Sequence, residues 1–133
     1  MEQTFAIIKP HAVASKLSGK IIDMIEAAHF EIVSMKKITM SDAQAHALYA
    51  EHSQKSFYNG LVSIMTASPL IVLKLQKNNA VMAWRDLMGA TNPSNAAAGT
   101  IRALFGKSLD ENVVHGSDSL SSAMRELAIF FDK

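Results

Sequence analysis

Short apolar runs alternate along this chain with stretches whose apolar residues recur every three or four positions. "TFAIIK" (Thr4 to Lys9) has the run length of a buried strand, ended by Pro10, which cannot donate to a ladder. "GKIIDMIEAA" then sets Ile21, Ile22, Ile25 and Ala28 on one face at helical spacing. "FEIVSMKKITM" is rich in β-branched residues and predicts the second strand. Ser41 with Gln44 three residues on forms a capping box and opens a helix through "DAQAHALYAEH". A loop and short helix, "SFYNGLVSIMTA", lead past Pro69 to a third strand, "LIVLKLQ". "NNAVMAWRDLMG" predicts a helix with Val81, Leu87 and Met88 inward and Gly89 as its stop. After the long irregular piece "ATNPSNAAAGTIRALFGKSLDE" comes a fourth short strand, "NVVHG". The last helix carries an apolar stripe of Leu120, Ala123, Met124, Leu127, Ala128 and Phe131.

Strands separated by helices in this order predict an α/β sandwich. The best match is a ferredoxin-like β-α-β-β-α-β arrangement, a four-stranded antiparallel sheet covered by helices. At 133 residues, without repeats or linkers, the chain is expected to form one domain spanning 1–133.

Composition narrows the function more than the fold. With no cysteine, disulfides, thiolate catalysis and Cys-ligated zinc are excluded, and a reducing cytoplasm fits best. No apolar run approaches the ~20 residues that span a bilayer. A formal net charge of +1 gives no general surface for nucleic acid or membrane. Any polyanion bound here has to be gripped locally by a few placed cations.

The chemistry concentrates at "NVVHGSDS", Asn112 to Ser119. His115 ends a strand-like run and precedes residues that start helices. A neutral imidazole is a usable nucleophile near neutral pH. Ser117, Asp118 and Ser119 are able to cap the last helix, whose positive end favours phosphate. Glu126, seven residues after Ser119, lies on the face that points back toward the histidine. A histidine met alone at such a junction more often just ends a strand. The cations Lys9, Arg85 and Arg102, together with Thr91, shift the balance toward a substrate carrying several phosphates. Phe57, among turn-forming residues, suits either partial burial in the core, as for most phenylalanines, or a surface platform on which a nucleobase stacks. "GKS" at Gly106 to Ser108 lacks the glycine that a phosphate loop needs at position 101, which is Ile101. His46 and His52 match no zinc spacing and are expected to face solvent.

"TFAIIKP", "YAEH", "GLV", "LMGATNP", "GTIR" and "NVVHGSDS", in this order from about Thr4 to Phe131, resemble the nucleoside diphosphate kinase family. The resemblance implies phosphoryl transfer between nucleoside triphosphates and diphosphates, ping-pong, through a phosphohistidine at His115. It also implies that Lys9 and Asn112 hold the sugar hydroxyl and the reacting phosphate, and that Phe57 stacks on the base. Arg85, Thr91 and Arg102 match the residues around the phosphates, and Tyr49, Ser117 and Glu126 match supporting positions. Mg²⁺ is implied to arrive with the nucleotide.

The chain departs from the family pattern at "KPHAV", where an Asp-Gly pair is frequent, at Ala103-Leu104 and at His29, where a glycine is common. It stops soon after "FFDK", so a dimer or tetramer is expected in preference to the family's hexamer. A nucleotide sensor, a phosphohistidine relay to another protein and an RNA-binding domain are the competing readings. The sensor has no use for His115, and the RNA-binding domain lacks sheet-face aromatics.

Overall fold

A computed structural model describes residues 1–131. Strand β1, Glu2–Ile8, runs through the middle of a four-stranded antiparallel sheet of order β2-β3-β1-β4. β2 is Glu31–Ile38, β3 Leu70–Lys77 and β4 Val114–Gly116. β1 pairs along its whole length with β3, from Glu2 opposite Lys77 to Ile8 opposite Ile71. On its other side only Ala6, Ile7 and Ile8 pair, with Gly116, His115 and Val114.

Side chains of β1 alternate between two cores, as a strand of period two requires. Ala6 and Ile8 pack with Ile21 and Ile25 of helix α2 (Ser18–Ala27) and Trp84 and Met88 of α5 (Ala80–Met88). β1, α2, β2, β3, α5 and β4 therefore make the ferredoxin-like unit that the order of strands and helices predicts. Phe5 and Ile7 point to the opposite face, which that unit alone would leave open. It is covered by α3 (Asp42–Leu48), α4 (Tyr58–Ala67) and α7 (Leu120–Phe130), with Leu48, Met65 and Phe130 in the second core. α3 and α4 are inserted between β2 and β3. That insertion supplies one wall of a cleft.

Several local expectations need correction. Pro10 does more than end β1: it opens a short helix, α1 (Pro10–Ala14), because proline suits a first helical position. The stretch predicted as irregular contains α6 (Ile101–Phe105), capped by the Thr100 hydroxyl accepting from the Ala103 amide. α3 ends at Leu48, and "AEH" continues as a single 3₁₀ turn instead of more α-helix. Leu120, Met124 and Ala128 of the predicted stripe lie on the solvent side of α7, while Ala123, Leu127 and Phe131 are buried. The Ser41–Gln44 capping box forms as expected. Leu87 is half-buried, and Trp84, which the helical pattern did not single out, is the fully buried anchor of α5.

His29 sits at φ +70, the left-handed turn that a glycine would adopt without cost. A glycine is indispensable at 116 for a different reason. A Cβ there would lie 2.6 Å from the Trp84 ring and from the Met88 terminal methyl. β4 can lie against α5 only because residue 116 has no side chain, and Trp84 Nε1 then donates to the His115 carbonyl at 3.1 Å. Gly116→Ala is expected to destabilise the fold by about 1–3 kcal/mol, since tight cores resist added volume. A thermal or urea unfolding curve matching the wild type would refute this account of the β4–α5 contact.

Candidate active site

The turn that delivers the chain to His115 is strained and heavily tied. Val113 is fully buried and has φ +79, a conformation that a β-branched residue rarely adopts. The Val114 amide donates to the Asn112 carbonyl at 2.9 Å, closing a three-residue γ-turn around it. Such strain costs about 1–3 kcal/mol and persists only where surrounding contacts overdetermine it.

Those contacts come from the residues singled out in the sequence. Arg102, only 7% exposed, donates through Nε to the Asn112 carbonyl at 3.2 Å, through Nη2 to the Val114 carbonyl at 2.8 Å and through Nη1 to the Gly89 carbonyl at 3.0 Å. Lys9, the N-cap of α1, donates its backbone amide to the Val113 carbonyl at 2.9 Å. Its Nζ donates to Asn112 Oδ1 at 2.7 Å, and Asn112 Nδ2 donates to the Thr91 carbonyl at 3.2 Å. Asn112 is thus the buried hub joining Lys9, Thr91 and Arg102.

His115 is held in plane and in tautomer. Its ring meets Phe5 and Tyr49 edge to face, at centroid distances of 6.0 and 6.3 Å. Nε2 lies 3.0 Å from Glu126 Oε1, which also accepts from the Ser117 hydroxyl at 2.8 Å. Burial alone would push the Glu126 carboxyl up. The hydrogen bond and charge of His115, the Ser117 hydroxyl and Arg125 outweigh it, leaving the group below the usual carboxylate range. Ionised Glu126 therefore takes the Nε2 proton in a hydrogen bond, which leaves the Nδ1 lone pair free. Among the described residues none takes Nδ1. Burial next to Glu126 also pushes the Tyr49 hydroxyl up, so it stays protonated.

A cleft of about 700 Å³ opens on this ring, between the α3–α4 insertion and the loops carrying Thr91 and Asn112. Lys9, Tyr49, Phe57, Thr91, Arg102, Asn112, His115 and Glu126 all line it. Phe57 is 52% exposed at the start of α4 and lines the cleft together with Leu61 and Ile64. The next residue, Tyr58, joins its hydroxyl to His46 Nδ1 and so ties α4 to α3. Arg85 is the exception among the cations. It is exposed and lines an adjoining recess of about 570 Å³, which shares Thr91, Arg102 and Asp118 with the main cleft. Ser117 stands behind the histidine and reaches the site only through Glu126.

His52 departs from expectation: it lines the cleft with its ring 6.0 Å from Phe57, and its Nδ1 is buried without a hydrogen-bond partner. His46 is exposed, as predicted, but bonded. His11 and Asp110, which were not singled out, also line the cleft, as does Asp118, expected only as a helix cap. Only the nearness of Asp118 to His115 and of His11 to Lys9 signals them. The "GKS" glycine has a packing role, since a Cβ at Gly106 would lie 2.6 Å from the Pro93 ring.

A histidine with one nitrogen bonded and the other free, in a cleft that also holds Lys9, Arg102 and the exposed ring of Phe57, suits a nucleotide phosphotransferase. Comparison with known proteins agrees. The family model described as nucleoside diphosphate kinase matches residues 2–133. A nucleoside diphosphate kinase of Trichlorobacter lovleyi is 56% identical over 132 residues, covering 99% of this chain and 96% of that protein. One from Geotalea daltonii is 55% identical over 131 residues, with 98% and 96% covered. Among solved structures, a halophilic nucleoside diphosphate kinase from Halobacterium salinarum in complex with CDP is similar at a TM-score of 0.96 and 39% identity, covering 99% of this chain and 88% of that one. The chain belongs to the nucleoside diphosphate kinase family, with its ping-pong phosphoryl transfer from nucleoside triphosphate to diphosphate through a phosphohistidine.

Arg102 carries a second duty that its charge alone did not suggest. Burial and the neighbouring Arg85 bring its guanidinium down to about 10, so it stays charged at neutral pH. Arg102→Ala removes three bonds from carbonyls around a strained turn. It is expected to lower stability by about 2–4 kcal/mol as well as to slow transfer. Calorimetry beside turnover assays checks this, and a slowed but fully stable variant would rule out the stitching role.

Proposed function

We propose that His115 Nδ1 is the atom that carries the phosphate. The observation supporting this is the Glu126 Oε1–His115 Nε2 bond, which leaves Nδ1 as the ring nitrogen without a hydrogen-bond partner among the described residues. In the first half-reaction the Nδ1 lone pair attacks the γ-phosphorus, the bond to the β,γ-bridging oxygen breaks and the nucleoside diphosphate departs with that electron pair. The ring keeps its Nε2 proton and gains positive charge, which Glu126 stabilises. A terminal β-phosphate oxygen of the second diphosphate then attacks the same phosphorus and restores the ring.

Lys9, Arg85 and Arg102 balance the phosphate charge in this reading, the Thr91 hydroxyl is a hydrogen-bond donor to the phosphates, and Asn112 and Lys9 hold the sugar hydroxyl and the reacting phosphate. Phosphoryl transfer asks mainly for such positioning and charge balance. Phe57 stacks on the base through its exposed face, which every base satisfies. Tyr49 and Ser117 keep the ring and the carboxylate in place. Mg²⁺ enters in this reading as part of the nucleotide substrate, as the family resemblance implies.

A cysteine-free chain suits a reducing cytoplasm, which is the compartment we propose; among the described residues no helix is long and apolar enough to cross a membrane. Edge strand β2 leaves backbone groups unpaired and exposes Val33 and Met35, which favours a homo-oligomer, read here as a dimer or tetramer.

Incubation with γ-labelled ATP and Mg²⁺ tests the nucleophile. The protein should take up acid-labile, base-stable phosphate and release it to added diphosphate, with the ³¹P–¹⁵N coupling on Nδ1. Labelling of His115→Ala to the same extent would defeat the assignment.

Lys9 supplies a pH test. Burial and the Arg102 charge, partly offset by Asp110, bring its ammonium from 10.5 down to about 8. The unfolded chain holds that proton to higher pH than the folded chain, so the charged ammonium costs stability below about pH 8 and stability rises toward pH 10.5. A bound polyanion reverses the shift. At pH 8.5 nucleotide binding is therefore expected to take up part of one proton, visible as a binding enthalpy that depends on the buffer's ionisation heat. That dependence should vanish in Lys9→Met; an enthalpy independent of buffer in the wild type would contradict the assignment.

A further inference from the structure

His11 occupies the first turn of α1 and borders the cleft, yet the roles above leave it unused. Its Nε2 accepts the Val113 backbone amide at 3.1 Å. That amide belongs to the fully buried residue at φ +79, whose carbonyl is held by the Lys9 amide. Both backbone polar groups of the strained residue are therefore gripped by the start of α1. One of the two grips depends on an imidazole lone pair.

An acceptor nitrogen disappears when the ring takes a proton. Nε2 would then present a hydrogen to another hydrogen, and the buried Val113 amide would be left without a partner, at a cost of about 1–3 kcal/mol. A turn already carrying strain has little margin for such a loss, and Asn112 and His115 lie on either side of it.

We propose that His11 is a positioning residue for phosphoryl transfer: its neutral ring holds the Val113 amide, and through it the Asn112–His115 turn, so that protonating His11 in mild acid releases the turn and slows transfer. The charged groups facing the ring are Lys9, from the start of its own helix, and Lys107 and Glu111, from the loop packed against it. Burial acts most strongly and disfavours the charged ring, Lys9 and Lys107 act in the same sense, and the Glu111 carboxylate and backbone oppose them; the net direction is downward. The ring is accordingly neutral at neutral pH and takes its proton below the ordinary histidine range. An acceptor of the same reach that does not titrate, such as a glutamine amide oxygen, would remove the acid sensitivity. The inference rests on the assignment of Asn112 and His115 to the site, but its structural half does not.

Amide NMR of the ¹⁵N-labelled protein between pH 7.5 and 5, beside single-turnover phosphorylation of His115 by Mg-ATP, tests both halves. The Val113 amide should shift in step with the His11 ring and exchange with solvent at least tenfold faster, relative to its intrinsic rate, once the ring is protonated. The phosphorylation rate should fall in acid more steeply than one proton allows. In His11→Gln the Val113 amide should stay protected and the acid limb should become that of a single group. His11→Phe, which offers no acceptor, should lose about tenfold in kcat at pH 7.5, with His11→Gln recovering most of it. A Val113 amide that ignores the His11 titration, or a glutamine variant with the wild-type acid limb, would overturn the proposal. A protein that fails to label at His115 while Val113 still follows His11 would instead overturn the nucleophile assignment.

Discussion

The γ-turn at Asn112–Val114 is the constraint on which the site depends. A buried valine at φ +79 is not a conformation that the chain would choose locally. It exists because Arg102 grips the carbonyls on either side and the start of α1 grips the peptide between them. The turn points Asn112 to Lys9 and Thr91 and sets His115 into β4 beside β1. With only three residues, β4 has little ladder of its own to fix the register of the histidine. The turn before it and the Gly116–Trp84 contact after it supply that fixity.

The fold shows why these elements meet. A ferredoxin-like sheet has one face covered by its two crossover helices and one face open. Here the open face is closed by α7 and by the α3–α4 insertion. α7 brings Glu126 behind the imidazole, and the insertion brings Phe57 to the cleft. In the proposed function the two ends of the substrate are held by different parts of the chain. The phosphate end would meet sheet edges and tied turns, whereas the base end would meet an insertion anchored by the Leu48–Met65 core and the Tyr58–His46 bond. That division matches the chemistry, because the reacting phosphorus needs exact placement and the base needs only a flat apolar surface.

Much of this was legible in the sequence because the signals were chemically redundant. Strand runs, the capping box and the glycine stop at 89 each fixed an element by its own local physics. Glu126 was found by helical spacing alone, and the structure places it 3.0 Å from the histidine. What stayed hidden was of another kind. α6 is five residues long and gives periodicity too little length to register. Leu120, Met124 and Ala128 share the helical period of the buried stripe, and only tertiary packing reveals that their side of α7 faces out. His11 and His52 announce nothing by spacing, because their roles come from backbone and ring contacts across more than one element. The strain at Val113 was equally silent, since valine usually marks an ordinary strand.

The cations of the cleft carry a cost that clarifies their purpose. Lys9 and Arg102 are both pushed below their ordinary values by burial first, and Lys9 further by Arg102, Arg102 by Arg85. Like charges gathered in a partly desolvated place destabilise the empty protein, and the one opposing carboxylate near Lys9, Asp110, offsets this only in part. A chain selected for stability alone would pair or remove these groups. Fixed on backbone carbonyls in the case of Arg102 and on the Asn112 amide oxygen in the case of Lys9, they cannot relax to relieve one another. In the proposed function the relief comes when phosphate oxygens enter, and it grows as negative charge spreads over the oxygens of the phosphoryl group in flight. The rigidity of the turn and the discomfort of the cations would then be two sides of one arrangement. The turn prevents the charges from finding a local compromise, and on that proposal the nucleotide becomes the compromise.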